Sequence, residues 1–192
     1  MGSEMCIRDR ARAILDLPEG KKAVLVQLGA GRINSIDSAL EVALSAVQSL
    51  GSDWVPVVVK NPLSERASLR NAHSISYYPL SRVYRAFEFG VFAAGYNSVQ
   101  ESVEFQLPGV FLPNELTKTD DQVARARGLS EAGLGVFALD TDELREKISL
   151  LSDRNERTRI QTRMAEVNGG KGAQQAALLF ASLASRQPAE HD

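Results

Sequence analysis

Hydrophobic residues in this chain fall into short, continuous runs separated by stretches of helical spacing. Ala23 to Leu28 (AVLVQL) is the first run and ends in Gly29-Ala30-Gly31. A short apolar run bounded by turn residues predicts a buried strand. Apolar residues at Ile36, Leu40, Ala43, Leu44, Val47 and Leu50 then recur with helical spacing, with Ser35 or Asp37 as candidate N-caps and Gly51 as the stop. Val55 to Val59 predicts a second strand and Ser74 to Tyr78 a weaker third. Ser81 to Ala86 predicts a short helix, Phe87 to Ala93 a fourth strand running into Gly95, and Asn97 to Phe105 a helix stopped near Pro108. Gly109 to Leu112 predicts a fifth strand, Asp120 to Ser130 a helix, Val136 to Leu139 a sixth strand, and Thr141 to Leu151 a helix. Two more helices, Asp153 to Val167 and Ala173 to Ala184, flank Asn168-Gly169-Gly170.

Alternating strands and helices imply an α/β fold with a parallel sheet covered on both faces, a Rossmann-like, doubly wound domain. Its expected span is 23–186, with 187–192 as a tail. Lys60 to Asn71, rich in polar residues, is the internal linker candidate. Met1 to Arg10 (MGSEMCIRDR) has no apolar periodicity and resembles a translated sequencing-adaptor junction. It is read as a foreign or disordered segment, and 11–22 as a linker.

Composition narrows the function classes. The 192 residues carry 22 basic and 24 acidic side chains, a formal charge of −2, which argues against a generic nucleic-acid binder. A single cysteine, Cys6, excludes a disulfide framework or multi-cysteine zinc site, and two histidines offer little for a histidine-built metal site. No apolar run reaches the roughly 18 residues of a membrane span. The expected setting is cytoplasmic.

Ligands of open α/β sheets bind beyond the carboxyl ends of the strands. Gly29-Ala30-Gly31-Arg32-Ile33-Asn34 looks like half of a dinucleotide fingerprint, but Asn34 stands where the third glycine belongs. Lys60 occupies the end of strand two, where an acidic ribose ligand would be expected. Ala94-Gly95-Tyr96-Asn97-Ser98-Val99-Gln100-Glu101 carries more. Gly95 lets the backbone approach a ligand, Asn97 or Ser98 caps the next helix, and free N–H groups there suit a phosphate. A carboxylate one turn on, Glu101, can accept two hydroxyl hydrogen bonds, as from a ribose diol.

Gly95 to Glu101, then Leu107-Pro108-Gly109-Val110-Phe111-Leu112-Pro113-Asn114, then Asp121-Gln122-Val123-Ala124-Arg125-Ala126, together resemble the donor-binding signature of GT-B glycosyltransferases, most closely glycosyltransferase family 28. The resemblance covers roughly Lys21 to Ala184. Ala94 replaces a common second glycine, and Gln106-Leu107-Pro108 replaces the usual Gly-x-Pro. The resemblance implies that Gly95, Asn97 and Ser98 hold the donor diphosphate and that Glu101 binds the ribose of a uridine nucleotide. It further implies that Asp121 and Gln122 contact the donor sugar, and that Gly29 and Gly31 leave room at a domain cleft. The implied reaction transfers a hexose or N-acetylhexosamine from a UDP-sugar, in cell-envelope or glycolipid and polysaccharide synthesis, with no metal or other cofactor.

The family's acceptor site and general base lie in an N-terminal domain for which this chain has no room. The expectation is therefore no catalytic base in this chain, and either a missing N-terminal acceptor domain or a separate acceptor subunit. Peripheral association with the inner face of a membrane, through the full enzyme, stays open. So do a UDP-sugar hydrolase or epimerase of the same architecture, a non-catalytic nucleotide-sugar-binding subunit, and an NADP-linked oxidoreductase using the Gly29 loop.

The remaining features have plain readings. Thr141 or Asp142 is read as a helix cap rather than part of an Asp-x-Asp metal motif (Asp140 to Asp142). His73 is read as a loop or surface residue. Arg154, Arg157, Arg159 and Arg163 are read as a solvated face. Trp54, Tyr77, Tyr78, Phe87, Phe89 and Phe92 are read as packing, and Ala173 to Leu183 as apolar enough to dock on a partner domain.

Overall fold

The computed structural model describes residues 2–29, 34–59, 72–114, 120–167 and 172–184. Six parallel strands form one sheet in the order β3-β2-β1-β4-β5-β6. They are β1 (Lys22–Gln27), β2 (Trp54–Val59), β3 (His73–Ile75), β4 (Phe89–Ala93), β5 (Gly109–Leu112) and β6 (Val136–Phe137). The helices are α1 (Gly2–Ile14), α2 (Asn34–Ser49), α3 (Tyr96–Glu104), α4 (Gln122–Glu131), α5 (Thr141–Ser152), α6 (Arg154–Val167) and α7 (Gly172–Ala184), with a 3₁₀ helix over Leu80–Ala86. This is the Rossmann-like α/β arrangement expected from the alternating pattern. The order reverses between β1 and β4, which pair in register from Val24↔Phe89 to Gln27↔Phe92.

Strand alternation sorts the core into two layers. Val24, Val26, Val91 and Val110 face Leu44, Val47, Leu144, Ile148, Ile160 and Met164 of α2, α5 and α6. Ala23, Leu25, Phe92 and Phe111 face Leu15, Tyr84, Val99, Ala126 and Leu129 on the α1, 3₁₀, α3 and α4 side. Phe92 and Phe111 stack at 5.5 Å. The Phe92 ring occupies the space a Cβ would need at Gly90, standing 2.2 Å from that point. Glycine there is a packing requirement.

The stretch 11–22, expected as a linker, is packed. Ala11 and Leu15, one helical turn apart, are buried. The Arg12 guanidinium donates to the carbonyls of Pro18 (2.9 Å), Lys21 (2.8 Å) and Ala86 (3.3 Å). One arginine side chain thus ties the end of α1 to both the start of β1 and the end of the 3₁₀ helix. Polar residues dominate α1, so its contribution is carried by hydrogen bonds rather than by an apolar pattern.

Four further expectations need correction. Tyr78 is 94% exposed and is not core. Asp140, not Thr141 or Asp142, caps α5, its carboxylate accepting from the N–H groups of Asp142 and Glu143 at 2.9 Å. Arg157 does not belong to a solvated face, for reasons given below. His73 is half-buried at the start of β3, its Nε2 3.1 Å from the carbonyl oxygen of Leu15. The linker candidate 60–71, and Gly31 of the cleft loop, lie outside the described residues.

The amino edge of the sheet is held by a charge cluster. Glu88, just before β4, pairs with Arg8 of α1 and with Arg157 of α6 (3.2 Å). Arg157 also donates to the carbonyls of Leu151 and Ser152, both at 2.8 Å, closing the end of α5. Its guanidinium lies 5.7 Å from the Trp54 ring centre, and the Lys22 ammonium lies 5.1 Å from the same ring. Arg157, buried with these partners, is structural, and burial lowers its pKa. No helix among the described residues is long and apolar enough to cross a membrane.

Candidate nucleotide-binding site

The carboxyl edge of the sheet, at the reversal between β1 and β4, is where the fold leaves a crevice. β1 ends beside Gly29, whose φ of +87° is a left-handed conformation that favours glycine. β4 ends at Ala93, and Gly95 is the N-cap of α3. Gly95 has φ −67°, so its backbone does not require glycine. Among the described residues, no atom beyond its chain neighbours lies within 4 Å of where its Cβ would stand, so their packing does not require glycine either. The missing side chain leaves open space in front of the first turn of α3.

That turn carries donors with no partner among the described residues. The first ladder bond of α3 runs from Val99 N–H to the Gly95 carbonyl (3.1 Å), so the N–H groups of Tyr96, Asn97 and Ser98 precede it. Gly95 takes the capping position expected of Asn97 or Ser98, and no side chain caps it. The polar side chains of both residues, one exposed and one half-buried, therefore remain at the mouth of the crevice. A helix start of this kind attracts an anion through its N–H groups and its dipole.

Glu101 lies one turn further along α3, half-buried. Its Oε2 accepts from the hydroxyl of Tyr84, in the 3₁₀ helix, at 3.3 Å. Burial, foremost, and the Glu101 charge push the Tyr84 phenol well above its ordinary pKa, so it stays a donor.

After β5, on the side of β4 away from β1, α4 opens on Asp121, whose carboxylate accepts from Ala124 N–H at 2.9 Å and so caps the helix. Gln122 is buried, and its side-chain carbonyl accepts from Asn114 N–H at 2.9 Å. Its amide also supports Asp120, whose carboxyl is held below the usual range, chiefly by the hydrogen bond from Arg125. Arg125 in turn donates to the Ala94 carbonyl at 2.9 Å and lies 5.8 Å from the Tyr96 ring centre. Asp121 and Gln122, expected as sugar contacts, thus sit beside the α3 turn, each with a structural hydrogen bond already made. The Gln27 Oε1, at the end of β1, is buried with no hydrogen-bond partner among the described residues.

Sequence spacing brought forward Gly95, Asn97, Ser98 and Glu101 as one group, and the structure keeps them on one helix start. It missed Tyr84 and gave Arg125 no role. Arg125 carried a signal, a cation one turn into a helix headed by two carboxylates. Tyr84 meets Glu101 only through the tertiary fold. No group of three or more His, Cys, Asp or Glu side chains that could hold a metal occurs among the described residues. A surface depression away from these residues is lined by Glu131, Gly133, Thr162 and Arg163.

Residues 22–179 match the sequence model of the glycosyltransferase family 28 C-terminal domain. The chain belongs to that family. Among curated protein sequences, none matches. Solved structures match the family 28 chain at low identity and show its fold. A glycosyltransferase of kitacinnamycin aligns with TM-score 0.67 at 23% identity, over 86% of this chain and 44% of that one. The spinosyn rhamnosyltransferase SpnG complexed with thymidine diphosphate aligns with TM-score 0.62 at 19% identity, over 78% and 41%. WaaG, a glycosyltransferase involved in lipopolysaccharide biosynthesis, aligns with TM-score 0.65 at 16% identity, over 94% and 51%. The family 28 chain thus spans about half the length of these proteins or less, and its architecture is that of one half of a GT-B molecule.

Proposed function

We propose that this chain is the donor-binding half of a glycosyltransferase that transfers a sugar from a nucleoside-diphosphate sugar. The observation that carries the reading is the start of α3 at the sheet reversal. There an unneeded glycine, three N–H groups ahead of the helix ladder and the Glu101 carboxylate one turn on form a diphosphate-and-ribose pattern. In this reading Gly95, Asn97 and Ser98 hold the diphosphate and Glu101 accepts from ribose hydroxyls. Gly29 and Gly31 border the cleft, and Asp121 and Gln122 face the donor sugar. Departure of the nucleoside diphosphate builds negative charge on the bridging oxygen, and oriented helix N–H groups stabilise such charge without a metal. The acceptor site and the base that deprotonates the acceptor come from a second, N-terminal half, supplied by a longer protein or a separate subunit. Uridine as the base, a hexose or N-acetylhexosamine as the sugar, and cell-envelope or glycolipid synthesis as the setting are supported by the motif resemblance. A thymidine nucleotide is a second candidate, because SpnG was solved with thymidine diphosphate.

The test is calorimetric titration of the chain with uridine diphosphate, thymidine diphosphate and NADPH. Binding of a nucleoside diphosphate without NADPH binding is the expected result. NADPH binding alone would overturn the proposal in favour of an oxidoreductase.

A further inference from the structure

We propose that Tyr84 is a positioning residue for sugar recognition, fixing the Glu101 carboxylate so that it discriminates nucleotides by their ribose hydroxyls. The inference rests on the reading of Glu101 as the ribose-binding group. Glu101 stands on a half-exposed turn, where a free side chain would sample several rotamers and lose that freedom on binding. Tyr84 removes the freedom beforehand. Its side chain is only 1% exposed. It is wedged between Phe92 and Phe105, both with ring centres at 6.1 Å, the second edge-on at 80°. A ring so packed cannot swing away, and its hydroxyl reaches Oε2 of Glu101 at 3.3 Å. A carboxylate has about four lone-pair sites. One bond to Oε2 therefore leaves Oε1 free to accept from a ribose diol while fixing the plane in which it does so. The phenol remains protonated through neutral pH, because burial and the facing carboxylate both disfavour its ionisation. The contact joins residues 17 positions apart, the 3₁₀ helix to α3. The segment before β4 thereby becomes part of the nucleotide site.

The experiment compares wild type, Tyr84→Phe and Glu101→Ala for binding of uridine diphosphate and its 2′,3′-dideoxy analogue. The phenylalanine keeps both ring contacts and removes only the hydroxyl. Tyr84→Phe is expected to weaken uridine diphosphate by about three- to tenfold, the loss of one hydrogen bond of ordinary strength. Binding of the dideoxy analogue should stay unchanged. Equal losses for both ligands would mark Tyr84 as merely structural and overturn the proposal, as would no loss at all. Glu101→Ala separates the two failures. If it weakens uridine diphosphate while Tyr84→Phe does not, only the positioning role falls. If Glu101→Ala has no effect, the ribose assignment falls, and this inference with it. Should the phenylalanine variant fail to fold, ¹³Cζ-tyrosine labelling of wild type replaces it. The Tyr84 resonance should move with uridine diphosphate and not with the dideoxy analogue, and equal movement would contradict the proposal.

Discussion

The guanidinium of Arg125 donates to the backbone carbonyl of Ala94 at 2.9 Å, joining residues 31 positions apart. Ala94 is the residue just before the N-cap of α3, so α4 holds the turn that aims the α3 N–H groups. The same guanidinium pairs with the Asp120 carboxylate and lies beside the Tyr96 ring. A single side chain therefore couples the loop after β4 to the segment that leads into α4.

Replacing Arg125 with methionine should loosen that turn while keeping much of the side-chain bulk. Nucleoside-diphosphate affinity is expected to fall about five- to tenfold, the effect of one lost hydrogen bond of ordinary strength. Calorimetry checks the affinity, and a thermal melt checks that the fold is retained.

Asp120 supplies a pH dependence. Its folded-state pKa is lowered, first by the Arg125 hydrogen bond, from an ordinary value of 3.8. A lowered carboxylate stabilises the fold fully above its unfolded pKa and loses that contribution as pH falls through the folded value. The stability gap between wild type and Asp120→Asn should therefore be constant above about pH 5 and close in stronger acid. Melting curves across the acid range measure it, and a gap independent of pH would contradict the assignment.

The amino edge predicts stability rather than binding. Arg157→Ala leaves Arg8 as the remaining partner of the half-buried Glu88 and removes the bonds that close α5. A cost of about 3 kcal/mol is expected for breaking such a pair. Trp54 is the only tryptophan in the chain and packs against Arg157, so its fluorescence reports the urea transition directly.

Gly90→Ala should be costly although the backbone tolerates alanine there. The added Cβ would meet the fully buried Phe92 ring at 2.2 Å. Overpacking of this kind costs about 1–3 kcal/mol. Urea denaturation monitored at Trp54 would show it as a lower midpoint with an unchanged slope.

Strands other than β3 were legible as short apolar runs near glycine or proline, whereas β3 is His-Ser-Ile and spans His73–Ile75 rather than the expected Ser74 to Tyr78. β5 begins at Gly109 and ends at Leu112, where the sequence pattern places it. Helix starts shifted by a residue or two, because several residues near a start can each serve as cap. At α3 the expected Asn97 or Ser98 yields to Gly95, and at α5 Thr141 or Asp142 yields to Asp140. The first helix was not legible, since Ala11 and Leu15 offer a thin apolar stripe and Arg12 makes its bonds with distant carbonyls. Tyr78 misled because aromatic residues beside a strand are usually core, yet it falls past the end of β3. Arg157 misled because a mixed charge run cannot show which member turns inward. The candidate site was legible where its residues are neighbours in sequence, Gly95 to Glu101. Its supporting groups, Tyr84 and Arg125, reach it from other elements. The exposed face of α7, with Leu178, Leu179, Phe180 and Leu183, agrees with the apolar stretch read from the sequence.

The most direct test of the central claim is a calorimetric titration of uridine diphosphate into the 192-residue chain and its Glu101→Ala variant. The donor-half account predicts binding by wild type and a loss of about 1–3 kcal/mol in the variant. Equal affinity for the two proteins would contradict it.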